Sequence, residues 1–127
     1  MRNLKFAAVG LCAAAFTAQA HAAEMHSCGD IPALPAMFDV ASATVDDIKL
    51  TAGEYKAYQE ENTTYIDCLK NTAKSDDIQS MKKKKRKKAM ARLDDALDET
   101  VANENRFADA FNDNFMSWKE QREKATQ

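Results

Sequence analysis

The sequence predicts an all-α protein: a long two-helix hairpin with an extended N-terminal segment pinned by one disulfide. Three observations carry this prediction. Strong helix formers dominate beyond residue 44, and apolar residues recur there every three or four positions. The whole chain holds three Gly and two Pro, too few for the frequent turns of a β-sandwich or barrel. Downstream of Ala22, the cysteines are an even pair, Cys28 and Cys68.

Residues 1–22 have the organisation of a signal peptide. A short basic region, residues 1–5, precedes an apolar run over residues 6–18, and overlapping A-x-A cleavage sites end at Ala20 and Ala22. An apolar run of about a dozen residues is shorter than the roughly 20 that a membrane-spanning helix needs. We therefore expect a cleaved leader and a mature chain that is periplasmic or secreted and has no transmembrane segment.

The two cysteines of the mature chain predict a single disulfide, because an even pair in an oxidising compartment is normally joined. Closing a loop of about 40 residues stabilises the fold by roughly 4 kcal/mol in the chain-entropy model. Two free thiols or half of a metal site are the alternatives. Glu24, His26 and Asp30 beside Cys28 imitate a copper or zinc site, but a disulfide would remove the thiolate that such a site needs.

The mature chain divides into an extended segment over residues 23–44 and a helical hairpin over residues 45–127. Pro32 and Pro35 favour an extended path in the first part, and apolar residues beyond them predict that it lies over another element. In the hairpin, the spacing of apolar residues predicts helices over residues 45–71 and 76–124, separated by a break at residues 71–75.

Reversing the chain at that break predicts which residues face each other. Leu93 would lie near Tyr55, Lys88 near Glu60, and Val101 near Asp47. The second helix would then extend beyond the start of the first helix after about Val101. The extended segment is long enough to run back along the hairpin and bring Cys28 to Cys68.

Seven consecutive cations form the most conspicuous motif, which we call the cationic tract: Lys82, Lys83, Lys84, Lys85, Arg86, Lys87 and Lys88. One interpretation is a solvated helix face, partly neutralised across the hairpin by Glu60, Glu61 and Asp67. Another is contact with an anionic envelope surface, such as phospholipid head groups or lipopolysaccharide. A third interpretation is contact with nucleic acid, which the predicted signal peptide argues against, as does the lack of aromatic residues among the cations to stack on bases.

A second motif is an aromatic stripe at helical spacing: Phe107, Phe111, Phe115 and Trp118. One interpretation is burial against Met37, Phe38 and Val40 of the extended segment. The other is contact with a protein partner or with a second copy of the chain.

Residues suited to catalysis form no identifiable pattern in this sequence. Neither a paired nucleophile and base nor a glycine-rich phosphate loop is present. We therefore predict no catalytic residue, no cofactor and no metal. The function predicted from the sequence is that of a non-enzymatic structural or protein-interaction module, with binding of anionic envelope components as the alternative.

The short motifs resemble a loose set of small exported proteins of Gram-negative bacteria without assigned activity. The resemblance is carried by Cys28 followed by Pro32 and Pro35, by the Tyr-x-x-Cys-Leu sequence that ends in Cys68 and Leu69, and by Phe111-Asn112 late in the second helix. It implies a periplasmic helical hairpin with one disulfide and transfers no catalytic residue. The cationic tract is outside the pattern of that set.

Overall fold

The computed structural model describes residues 26–127 and contains three helices: α1 (Val45–Lys74), α2 (Asp76–Gln79) and α3 (Lys83–Ala125). The predicted signal peptide, residues 1–22, lies outside the described residues. The two long helices form an antiparallel hairpin without strands in the described part of the chain, which confirms the predicted all-α class. In residues 26–127 no helix combines the length and the apolarity that crossing a bilayer requires.

Helix α1 begins with a complete capping box. The Thr44 hydroxyl accepts a hydrogen bond from the Asp47 amide at 3.2 Å, and the Asp47 carboxylate accepts from the Thr44 amide at 2.7 Å. Hydrogen bonds from the Thr44 amide and hydroxyl hold the pKa of Asp47 below its ordinary value. Helix α1 continues past its predicted end at residue 71 and stops at Lys74, because Ser75 adopts an extended backbone.

The chain reverses at residues 80–82 and not at residues 71–75, so a bend separates α2 from α3 within the predicted helix over residues 76–124. The short helix α2 follows α1, and its Ile78 is buried. The side-chain amide of Gln79 donates a hydrogen bond to the Ala73 carbonyl at 2.8 Å. From the other side of the bend, Arg86 donates to the Gln79 carbonyl at 3.1 Å. These hydrogen bonds satisfy carbonyl groups at the ends of α1 and α2, which have no partner within their own helices.

The later reversal shifts the pairing of the helices by several helical turns. The Tyr55 ring stacks on Phe107, with centroids 4.8 Å apart, where Leu93 was expected. Leu93 instead packs beside Tyr65 and Leu69 in the hydrophobic core. Val101, an apolar residue of the predicted second helix, is 43% exposed, while its neighbour Thr100 is fully buried.

The predicted disulfide joins Cys28 to Cys68 and pins the extended segment to the hairpin. We call residues 26–44 the strap. Its Cys28 and Ile31 pack on the core cluster of Tyr65, Leu69, Leu93 and Ala96. Farther along, Phe38 is buried and meets the edge of Phe111 at 5.6 Å. The strap therefore covers one side of the interface between α1 and α3, which we call the seam. Because a small domain buries only a limited apolar surface, this additional cover contributes to its hydrophobic core.

Candidate functional site

The cationic tract lies at the end of the hairpin where the chain reverses. We call residues 76–88, which comprise α2, the bend and the start of α3, the tip. The six lysines of the tract are exposed, and Arg86 alone is partly buried by its bond to the Gln79 carbonyl. A tip built on two helix ends and anchored by Ile78 presents these ammonium groups from a rigid support.

The tract is not neutralised across the hairpin. Within residues 26–127 the ion pairs are Lys49 with Asp46 and Lys124 with Glu120, both between exposed side chains. The expected partners Glu60 and Glu61 lie far from the tract, because this part of α1 faces Glu104. The neutralisation expected from Glu60, Glu61 and Asp67 is thus absent from the ion pairs of the described residues, whereas the exposed lysines agree with a solvated helix face.

The start of α3 differs from the start of α1 in its electrostatics. Lys82 is the N-cap residue of α3 and makes no side-chain capping bond, and the first turn carries no acid. Helix N-termini favour negative charge, because their free amides and the helix dipole are positive there. The lysines here repel one another and lie at the positive end of the helix dipole. Binding of an anion at the tip would reduce this electrostatic repulsion.

Charge is separated along the hairpin. The tip carries the seven cations of the tract and two acids, Asp76 and Asp77, for a formal charge of +5. The rest of residues 26–127 carries nine basic and seventeen acidic side chains, for a formal charge of −8. The molecule thus has one cationic end and an acidic body, and the tip is where an anionic partner would be attracted.

The aromatic stripe that sequence offered as a partner contact packs within the chain over much of its length. Phe107 is only 5% exposed and its ring stacks on that of Tyr55, while the ring of Phe111 packs edge-on against that of Phe38 in the strap. Trp118 donates its indole N–H to the Ala43 carbonyl at 2.9 Å and stacks with Phe115. Of the contacts expected with the extended segment, that of Phe111 with Phe38 is present, and Phe107 is buried against Tyr55 of α1, while Phe111, Phe115 and Trp118 are all partly exposed.

A polar cluster in the middle of the seam is the feature that sequence analysis missed. The amides of Gln59 and Asn62 donate to the two carboxylate oxygens of Glu104, at 3.0 and 2.8 Å. Burial, together with the Glu104 charge, raises the pKa of Tyr58. The available signal was the presence of Gln59 and Asn62 in an otherwise apolar stripe, which implied a polar partner on α3.

The residues around Cys28 that imitate a metal site in the sequence make other contacts in the structure. Cys28 is in the disulfide, and its amide donates to Nδ1 of His26 at 3.3 Å. His26 meets the edge of Tyr65, with ring centroids 6.1 Å apart. Among the described residues, no three His, Cys, Asp or Glu side chains converge as metal ligands would.

Comparison with protein-family models, with curated proteins and with solved structures finds no match to this chain. The resemblance to small exported proteins of Gram-negative bacteria stays a prediction. What the chain does is therefore inferred from the geometry and charge of the hairpin.

Proposed function

We propose that this chain is a non-enzymatic periplasmic interaction module whose cationic tip binds anionic components of the cell envelope. The observation that carries the proposal is the tip itself, with six exposed lysines at the end of a rigid hairpin and no ion pair to any described acid. Each Lys or Arg near an anionic bilayer contributes about 1 kcal/mol. Several lysines acting together therefore supply useful affinity without a concave pocket.

The periplasmic location is part of the same proposal. Its support is the leader-like organisation of residues 1–22 and the Cys28–Cys68 disulfide, since disulfides persist in oxidising compartments. Phospholipid head groups and lipopolysaccharide are the phosphate-bearing surfaces that a periplasmic protein meets. The tract contains no apolar side chain, so the contact would be electrostatic and reversible.

The test is binding of the chain beginning at Ala23 to vesicles, since the apolar run of residues 6–18 would bind lipid by itself. We expect cosedimentation with vesicles rich in phosphatidylglycerol, little with phosphatidylcholine alone, and loss of binding at high salt because screening shortens the range of charge interactions. Binding that is equal on both lipids, or insensitive to salt, would reject an anionic-surface function.

A second candidate function is binding of a protein partner. The observation that favours it is a groove on the side of the hairpin opposite the strap. An open groove between α1 and α3 is lined there by Ile66, Leu97, Val101 and Ala102, with Lys70 and Asp98 at its edges. A photo-crosslinking residue in place of Val101 would test it in living cells. A discrete crosslinked protein supports this function, and its absence at comparable expression argues against it.

A further inference from the structure

The charge separation of the hairpin has a consequence for how it would meet a surface. Only the tip is cationic, and the exposed acids of the body begin at Asp94 and continue along both helices. Asp94 is six residues beyond Lys88 on α3, which corresponds to about 9 Å along the axis. The Debye length at physiological salt is about 8 Å, so a surface touching the tip acts weakly on the acids behind it.

The two orientations of the rod on an anionic bilayer therefore differ in free energy. With the tip down, lysines lie at the surface and nearly all acids of the body lie beyond the screening distance. With the rod lying flat, exposed acids such as Asp94, Asp98 and Asp109 come within that distance and are repelled. No apolar residue within the tract offers a compensating insertion into lipid.

Contacts along the hairpin hold its two long helices together, so an orientation set at the tip applies to the whole molecule. Helix α3 runs without interruption from Lys83 to Ala125, and the Asn62–Glu104 bond ties it to α1, to which the Cys28–Cys68 disulfide also ties the strap. The bond from Arg86 to the Gln79 carbonyl fixes the start of α3 to α2. An orientation imposed at the tip is thus transmitted to the opposite end of the molecule.

We infer that the chain binds phosphate-bearing membrane surfaces end-on, so that the hairpin stands away from the bilayer and holds its opposite end about 50 Å out. The distance follows from the length of α3 between Lys83 and Trp118, at a rise of about 1.5 Å for each residue. This inference rests on the proposed binding of anionic surfaces. It adds that the protein acts as an upright spacer, with the Trp118 end displayed to the periplasm.

The experiment uses the one tryptophan of the chain, Trp118, as an internal reporter. The chain beginning at Ala23 is mixed, at physiological salt, with phosphatidylglycerol–phosphatidylcholine vesicles that carry a dansyl lipid, and bound protein is quantified by sedimentation. An upright rod keeps Trp118 beyond the range of energy transfer to the dansyl groups, so its emission is unchanged although the protein is bound. Bound protein with strongly quenched Trp118 emission would overturn the end-on orientation.

Two control variants make the result interpretable. In Trp118→Phe combined with Ser80→Trp, the reporter is moved to the exposed bend, and strong energy transfer is expected. In Asp94→Asn combined with Asp95→Asn and Asp98→Asn, the body is less repelled, so Trp118 transfer should rise; no rise would overturn charge separation as the cause. Failure of every chain to sediment with vesicles, or binding to soluble polyphosphate alone, would instead reject the membrane-binding function itself.

Discussion

Asn62 donates a hydrogen bond to the Glu104 carboxylate at 2.8 Å, and this contact links the middle of α1 to the middle of α3. Asn62 is fully buried, so its amide would be costly to leave without a partner. A pairing of the helices shifted by one turn would separate the two side chains. The contact thus favours the register that leaves residues 82–88 at the tip, beyond the reach of the α1 acids.

Glu104→Ala should therefore destabilise the fold by about 1–3 kcal/mol, because the buried Asn62 amide loses its acceptor. Urea unfolding followed by circular dichroism measures the change. Glu123→Ala is the matched control, since Glu123 is an exposed acid near the end of the same helix, and it should change stability by less than about 0.5 kcal/mol. Equal effects of the two substitutions would contradict a role of Glu104 in fixing the register.

Replacing both cysteines, Cys28→Ser with Cys68→Ser, should lower stability by roughly 4 kcal/mol, because the unfolded chain regains the entropy of a loop of about 40 residues. The strap would then be held by noncovalent contacts such as that of Phe38 with Phe111. Adding reductant to the native chain should reproduce the loss, as measured by thermal unfolding. A reduced native chain as stable as the oxidised one would contradict this account.

Phe107→Ala should cost about 3–5 kcal/mol, because Phe107 is buried against Tyr55 and its removal leaves a cavity in the seam. Met116→Ala on the same helix removes an exposed side chain and should have little effect. Denaturant midpoints of the two variants provide the measurement. A mild effect of Phe107→Ala would mean that its ring is available to a partner and not part of the core.

Gly53→Ala should stabilise the protein by up to about 1 kcal/mol, because Ala has the higher helix propensity. Gly53 is exposed within α1, and an added Cβ would meet no atom within 4 Å. Chemical denaturation of the variant tests this. A loss of stability would show that Gly53 is needed for a contact other than those within the hairpin.

Alkaline pH should destabilise the fold. Burial, followed by the charge of Glu104, raises the pKa of Tyr55 and Tyr58, and burial raises that of Tyr65. The unfolded chain loses these protons first, so stability is unaffected below pH about 10 and falls as pH rises beyond it. Urea midpoints at pH about 8 and about 11 measure the loss, which Tyr58→Phe with Tyr65→Phe should reduce. An alkaline loss unchanged in that double variant would contradict the assignment.

Local signals predicted the helices well. The helix predicted from residue 45 begins at Val45, where the capping box of Thr44 and Asp47 depends only on residues close in sequence, and the cysteine count predicted the disulfide. The register was mispredicted because the reversal point depends on nonlocal contacts, namely the burial of Ile78 and the bonds of Gln79 and Arg86. The separation of the tract from Glu60 and Glu61 followed only from the corrected register.

The polar cluster of Gln59, Asn62 and Glu104 was not predicted from the sequence, and the physical reason is different. Glu104 faces Gln59 and Asn62 across the seam, and on the same helix Thr100 is fully buried while Val101 is 43% exposed. A buried amide requires an acceptor, so the Asn62 side chain favours a carboxylate on α3 over an apolar side chain. Such a preference is visible only when both helices are present.

In the proposed function, the location of the lysines, and not the overall charge, gives the protein its affinity for anionic surfaces. Two variants with the same formal charge test this directly. In the first, the six tract lysines become Gln, and Arg86 is kept for its contact with Gln79. In the second, the lysines replaced by Gln are six that lie outside the tract: Lys49, Lys56, Lys70, Lys74, Lys119 and Lys124.

Vesicle cosedimentation of the native chain and both variants, at low and physiological salt, provides the measurement. The tract variant should lose at least tenfold in affinity, because each lysine at the surface contributes about 1 kcal/mol and several are removed together. The variant with six substitutions outside the tract should bind nearly as the native chain does. Equal weakening of the two variants would contradict the account, since it would show that charge alone, without a cationic tip, governs binding.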